Sequence, residues 1–260
     1  MASARGGRED EHIVCGFHAV RATLAAKERV LEVWLADSRY DKRSETLRRE
    51  LERAGVTARA AAREQLDQLA GGVRHQGVVA RVRARAPLDL RGLEELLEGL
   101  TRPALLLILD RVQDPHNLGA CMRSAACAGA DAVLLPQDRA CRLTPAAARV
   151  SAGASAHLPL CYLPNLARAM EMLRRRGVWL VGGDADADGA TDWNRVDFTA
   201  PTAIVLGAEG RGLRRLTRER CDLLARISMA GDAAVPSLNV SVAAGVFLFE
   251  ARRQRAQSNK

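Results

Sequence analysis

Aromatic residues are scarce in this 260-residue chain: three Trp, two Tyr and four Phe make up only 3% of it. Any core must therefore be filled by Leu, Val and Ala. Apolar residues at 48% suffice for one large domain, or for a small one plus a medium one. Cysteine occurs six times (Cys15, Cys121, Cys127, Cys141, Cys161 and Cys221), but no CxxC pair is present and no spacing fits a zinc site. No metal is expected, and the cysteines read as small core residues. No apolar run approaches the length of a membrane span. The stretch from Met1 to Asp10 is polar and lacks the apolar region of a secretory signal. A reduced cytoplasm, with no membrane partner, is the expected setting. Negative charge is in the minority: 31 acidic against 39 basic residues give a net charge of +8. That balance suits a polyanion, commonly nucleic acid, although a merely soluble basic protein would also show it.

Residues 1–10 read as a disordered lead. Residues 11–86 hold short alternating elements, with helices over 18–26, 44–54 and 63–69 and strands over 31–35 and 78–82. This is the pattern of a small α/β domain. Around its last strand Arg81, Arg83 and Arg85 alternate, so a period of two puts them on one face, either to hold phosphate or simply to be solvated. Residues 87–102 begin and end near a proline, contain a short helix over 93–100, and read as a linker. From 103 to 260 strands and helices alternate. Strands are expected over 105–109, 132–135, 158–162, 178–181, 203–206 and 224–227. Helices are expected from Asn117 to 128, from the Thr144-Pro145 pair, and over 166–176, 213–221 and 239–253. Residues 184–192 read as an exposed polar loop. The alternation, with strands apolar throughout, predicts an α/β domain with a mainly parallel sheet.

Ligands of open parallel sheets sit beyond the carboxyl ends of the strands, and three polar turns follow apolar strands here. The first runs Asp110-Arg111-Val112-Gln113-Asp114-Pro115-His116-Asn117-Leu118-Gly119, with Arg123 and Ser124 beyond it. Asn117 is a natural N-cap, which places Arg123 within the second helical turn. A helix start with a nearby guanidinium suits a phosphate, although an ordinary capped turn would look the same. The second turn, Leu206-Gly207-Ala208-Glu209-Gly210-Arg211-Gly212, has three glycines in six residues, which permits close backbone approach. It is neither the dinucleotide pattern nor a Walker loop, so neither NAD nor ATP is supported. The third is Ile227-Ser228-Met229-Ala230-Gly231 followed by Pro236-Ser237-Leu238-Asn239-Val240-Ser241, where Ser237 or Asn239 can cap the last helix. That helix is apolar nearly all round before Glu250, so it must be buried on more than one side.

Each turn alone is weak evidence, but the three in this order resemble the motifs of the SpoU (TrmH-like) family of RNA 2′-O-ribose methyltransferases. The resemblance spans residues 103–253 and in detail is similar to the bacterial members that methylate a guanosine of 23S rRNA. The stretches around 13–20 and 75–80 resemble, more loosely, the auxiliary RNA-binding domain of those enzymes, which has the ribosomal-protein L30e fold.

The resemblance implies a catalytic domain of SPOUT type, with a C-terminal trefoil knot that pattern reading alone would never suggest. It implies S-adenosyl-L-methionine (SAM) as cofactor, held by Leu206, Gly207, Ile227, Met229 and Leu238. It implies an rRNA substrate, 23S before tRNA or another rRNA site, and a homodimer whose site takes residues from both subunits. Asn117, Arg123, Glu209, Ser237 and Asn239 match the active-site polar positions. The residue matching Arg123 is the family's proposed base, yet a guanidinium normally stays protonated and equally suits a phosphate or a developing alkoxide. The loop 232–236 looks about two residues longer than in relatives. A non-catalytic RNA-binding module on the ribosome would be expected to have lost one of these residues, and none is missing.

Overall fold

The structure is a computed structural model that describes residues 11–25, 30–37, 41–83, 86–185, 187, 189–208, 210, 212–230 and 237–258. The expectations for the lead 1–10, for Arg85, for Glu209 and for the loop 232–236 fall outside the described residues. Contacts divide the chain into two units, one of residues 1–86 with 152–157 and one of 87–151 with 158–260.

The first unit is built from β1 (Glu11–Cys15), α1 (Phe17–Ala25), β2 (Val30–Ala36), α2 (Lys42–Arg53), β3 (Ala58–Ala61), α3 (Arg63–Ala70) and β4 (Val78–Arg83). Its four strands lie in the order β1-β4-β2-β3, with β2 and β3 parallel and the other pairs antiparallel. Sequence periodicity did not reveal β1 or β3; Ala58–Ala61 is too short and too rich in Ala and Arg to show a strand pattern. Asp41 accepts from the Ser44 amide and Ser44 returns the bond to the Asp41 amide, a reciprocal cap that fixes the start of α2. Val20, Leu47 and Leu51 then pack with Val33, Leu35, Val78 and Val82 in one buried cluster. The alternating arginines of β4 are engaged: Arg81 pairs with Glu32 at 2.9 Å and Arg83 with Glu11 at 3.8 Å.

The second unit runs α4 (Leu90–Glu98), β5 (Leu105–Asp110), α5 (Pro115–Ala128), β6 (Ala132–Pro136), α6 (Pro145–Val150), then α7 (Ala154–His157), which groups with the first unit. It continues with β7 (Leu160–Leu163), α8 (Leu166–Arg175), β8 (Trp179–Gly183), β9 (Thr191–Asp192), β10 (Thr202–Gly207), α9 (Arg215–Arg218), β11 (Leu223–Arg226) and α10 (Val240–Ser258). The strand order is β7-β6-β5-β10-β8-β11-β9 and every pairing is parallel. Parallel strands need helices on their faces, which is why β5, β6 and β7 are buried at every position.

Residues 87–102 belong to this unit: Asp89 caps α4 and Leu93 is fully buried in the core. Residues 184–192 end in the two-residue strand β9, and Ala187 within them is buried. Of the helix expected over 213–221 only Arg215–Arg218 forms, because Leu213 turns into the core and Arg214 ahead of the helix is extended.

Candidate active site

Asp114, not Asn117, caps α5. Its carboxylate accepts from the His116 amide and Pro115 takes the first helical position. Asn117 is therefore the third residue of the helix, and Arg123, the ninth, lies in the third turn rather than the second. With its backbone role gone, the Asn117 side chain reaches across to the last helix, where its Oδ1 accepts from Asn239 Nδ2 at 3.0 Å. Asn239 is the cap of α10: its Oδ1 takes the Ser241 amide at 2.8 Å and the Ser241 hydroxyl at 2.7 Å. The first and third sequence motifs are thus joined by one amide–amide bond.

The second motif is tied to the first through β5 and β10, where Gly207 stands opposite Asp110. The Gly212 amide closes the loop onto the Ala208 carbonyl at 2.9 Å. The loop is so tight that a Cβ on Gly207 would lie 2.0 Å from the carbonyl atoms of Gly212. The glycine is required by the loop's own backbone. Beyond the loop, Arg214 grips the fully buried Asp110 carboxylate through Nε at 2.9 Å and Nη2 at 2.7 Å. The Thr217 hydroxyl donates to it at 2.6 Å. Sequence reasoning passed over Asp110, Arg214 and Thr217; the available signal was a lone carboxylate closing an otherwise wholly apolar strand.

A cavity of about 380 Å³ opens at the carboxyl ends of β8, β10 and β11 and under the start of α10. All five residues assigned to the cofactor, Leu206, Gly207, Ile227, Met229 and Leu238, line it, and so does Ser237. Asp184 and Phe247 line it as well, and neither was singled out from the sequence. Asp184 is half-buried and pairs with Arg218 at 3.1 Å. The strand end leading to Met229 is fastened from the side. Asp192 on β9 accepts from Ser228 Oγ at 3.0 Å and from Arg226 Nε at 3.2 Å, and these contacts hold its carboxyl below the ordinary range. Asn117, Arg123 and Asn239 are not among the residues lining the cavity.

Arg123 is exposed, with no hydrogen-bond or ion-pair partner among the described residues. Six residues on from Asn117, it is turned about 120° around the helix and stands roughly 9 Å along its axis. One stripe of α10 is also bare: Val242 is 50% exposed and Phe249 48%, with the partly buried Val246 between them. Another side of the helix is buried as expected, through Val240, Ala244, Phe247, Leu248 and Ala251.

The dimensions and lining suit a bent, adenosine-sized ligand. The volume is within the range of about 300–1,000 Å³ typical of small-molecule sites. Leu206, Ile227, Met229 and Leu238 offer apolar walls, the glycine loop offers backbone groups, and Asp184 offers a carboxylate.

Comparison with known proteins agrees with this arrangement. Residues 104–249 match the model of the SpoU rRNA Methylase family, and residues 13–88 match that described as RNA 2′-O ribose methyltransferase substrate binding. The chain is 50% identical over 244 residues to the 23S rRNA (guanosine-2′-O-)-methyltransferase RlmB of Photobacterium profundum, covering 94% of this chain and 98% of that one. It is 48% identical over 248 residues to RlmB of Pseudomonas syringae pv. tomato, covering 95% and 97%. Among solved structures it is similar to the SpoU methyltransferase AviRb of Streptomyces viridochromogenes in complex with AdoMet, with a TM-score of 0.77 and 28% identity over 97% of this chain and 95% of that one. With both units matched and relatives near half identity across nearly its whole length, this chain belongs to the SpoU rRNA methylase family and is an RNA methyltransferase.

Proposed function

We propose that this chain transfers a methyl group from SAM to the ribose 2′-hydroxyl of a guanosine in 23S rRNA. The observation that carries the reading is the convergence of all five cofactor-assigned residues on one cavity at the carboxyl ends of the parallel strands. SAM, when bound, supplies an already electrophilic methyl carbon, so the protein's task is to place the hydroxyl and stabilise its charge.

The residues divide that task by position. Leu206, Ile227, Met229 and Leu238 would pack on the adenine, with Gly207 backbone groups reading its edge. The Asn239–Asn117 pair fixes two amides, Asn239 between the cavity-lining Leu238 and Val240 in the chain, and would orient a ribose. Ser237 is exposed at the cavity and offers a hydroxyl to RNA. Glu209 keeps its proposed role in the glycine loop. Arg123 acts as a permanent cation, holding a substrate phosphate and stabilising the developing alkoxide as the 2′-hydroxyl proton passes to solvent water.

Arg123 stands apart from its own chain's cavity, so a homodimer that brings it to the partner's cavity completes the site. The bare stripe of Val242, Val246 and Phe249 on α10 supports this, since a monomer helix should show a polar outer face. We also take the C-terminal chain to be knotted. The first unit serves as the RNA-binding domain, and a ribosomal substrate places the enzyme in the cytoplasm.

The test is a map of 2′-O-methylation in rRNA with and without this protein, paired with calorimetry of SAM. Loss of one guanosine methylation in 23S rRNA is expected. An unchanged map, or a chain that binds no SAM, would overturn the reading.

A further inference from the structure

The first unit contains a second cavity, an open cleft of about 780 Å³, that the chemistry above does not use. It lies beyond the carboxyl ends of the parallel pair β2 and β3, where Ala36 ends one strand and Arg63 follows the other. Gly77, which leads into the antiparallel β4, closes the third side through a bond from the Ala36 amide.

Three arginines face the cleft: Arg43, Arg63 and Arg74. All three are exposed, and none has a hydrogen-bond or ion-pair partner among the described residues. Other arginines of the same unit are neutralised: Arg21 by Glu50, Arg59 and Arg81 by Glu32, and Arg83 by Glu11. Unpaired cations concentrated in a concave site focus a positive potential there. The paired Arg81 and Arg83 lie up to roughly 20 Å further along β4, at about 3.3 Å per residue.

The cleft is also built to hold its shape. His75 is buried on its floor; its Nδ1 accepts from the Gly77 amide at 3.1 Å, which leaves the proton on Nε2 to donate to Asp67 at 3.0 Å. This brace keeps Gln76 on the rim in a left-handed conformation, φ 54°, that a side-chain-bearing residue rarely adopts.

We propose that this cleft binds one unstacked nucleotide of a single-stranded RNA segment, its phosphate between the arginines and its base at the Gln76–Asp67 rim. The proposal rests on reading the chain as an RNA methyltransferase. A lone phosphate would need far less room than about 780 Å³. With no aromatic residue among the described residues lining the cleft, an arginine plane is the surface on which a base can stack.

The test uses the full chain and a labelled single-stranded oligoribonucleotide of mixed sequence, with its duplex as competitor. The double variant Arg43→Glu/Arg74→Glu should weaken binding at least tenfold and flatten its salt dependence. Arg48→Glu/Arg53→Glu, the same charge change on α2 outside the cleft, should weaken it twofold or less. Arg63→Gln, which leaves packing untouched, should give an intermediate loss and guards against a folding artefact. SAM binding should stay at the wild-type value in every variant, so loss of SAM binding in the wild type would indict the methyltransferase reading alone. Equal losses in the two double variants, or duplex binding as tight as single-strand binding, would overturn the cleft assignment.

Discussion

Replacing Gly207 by alanine adds a single methyl group, and the structure sets its consequence. The new Cβ would fall 2.0 Å from the carbonyl carbon and oxygen of Gly212 and 2.4 Å from the Leu213 amide nitrogen. Those are backbone atoms, so no side chain can swing aside; the 208–213 segment itself must move by more than an ångström. Overpacking of this kind costs about 1–3 kcal/mol. The displaced loop also gives up the Gly212 amide to Ala208 carbonyl bond, worth about 1 kcal/mol. Gly207 is the last residue of β10 and Leu213 packs in the core, but Thr202–Leu206 keep their pairing with β5, so the chain should stay folded and escape the clash by opening the loop. SAM would then have to restore the closed loop on binding, which meets the clash but regains that bond, so the cost is the difference between the two, up to about 2 kcal/mol, or a loss of up to roughly 30-fold in affinity.

The matched control is Gly129→Ala, at the end of α5 and not among the residues lining the cavity. A Cβ there meets nothing within 4 Å, and the only objection is its φ of +84°. That strain costs about 1–2 kcal/mol and does not press on the cavity wall. Calorimetry with SAM on both variants, with melting curves to confirm folding, separates the two. Gly207→Ala should lose affinity by up to roughly 30-fold, and Gly129→Ala should stay at the wild-type value, its strain being shared by the free and bound states. A folded Gly207→Ala protein that binds SAM as wild type does, or a Gly129→Ala protein that loses as much, would refute the steric argument.

Two further outcomes follow from buried polar groups. Thr217→Val removes one of the donors to the buried Asp110 carboxylate, which should cost about 1–3 kcal/mol and lower the melting temperature by a few degrees; Thr217→Ser should restore it, and a Val variant as stable as wild type would show that Arg214 suffices alone. Glu250 is held below its ordinary carboxyl range chiefly by hydrogen bonds from Arg253, with Gln254 assisting against the opposing effect of burial. A lowered folded-state value means stability that is present above the ordinary value of 4.5 and lost as pH falls through the lowered one. Glu250→Gln should therefore be less stable than wild type at pH 7, and urea titrations should show the difference shrinking as the pH falls below 4.5.

How far the sequence reached depended on what kind of signal each feature leaves. The parallel sheet was legible because strands buried on both faces, such as Leu105–Asp110, read as unbroken apolar runs. The cavity-lining residues were legible through their family resemblance, since Ile227, Met229 and Leu238 carry no distinctive chemistry individually. Helix starts were less secure: Asn117 and Asp114 are both good caps three residues apart, and only the geometry shows that Pro115 leaves the role to Asp114. The Asp110–Arg214–Thr217 clamp joins residues more than a hundred positions apart, beyond any local periodicity. Residues 87–102 look like a linker because prolines bracket them, yet burial of Leu93 makes α4 part of the core. The arginine face of β4 showed the opposite failure, since alternation reveals a shared face but not the carboxylates of β1 and β2 that neutralise it.

The last helix connects these features. Arg255 near its carboxyl end donates to four carbonyls, those of Phe198, Ala200, Pro103 and Ala104, at 2.7 to 2.9 Å. These carbonyls precede β10 and β5, at the entry ends of the two strands whose carboxyl ends carry Gly207 and Asp110. Gln254 adds bonds to the Phe198 amide and the Val196 carbonyl, both at 2.8 Å. A helix of 19 residues spans about 28 Å at about 1.5 Å per residue, so α10 runs the depth of the sheet as a single rod. Clamped at the entry end and capped by Asn239 at the other, it has little freedom to slide, and that fixes Val240 and Ala243 against the cavity. With the last helix already held by this clamp, the Asn239–Asn117 bond is not needed as a staple, which is consistent with the substrate-orienting role proposed for it. The clamp also leaves one side of the rod, that of Val242 and Phe249, outside every internal contact that the anchoring needs. On the dimer reading, that is the side a second subunit would cover without disturbing the geometry of the first.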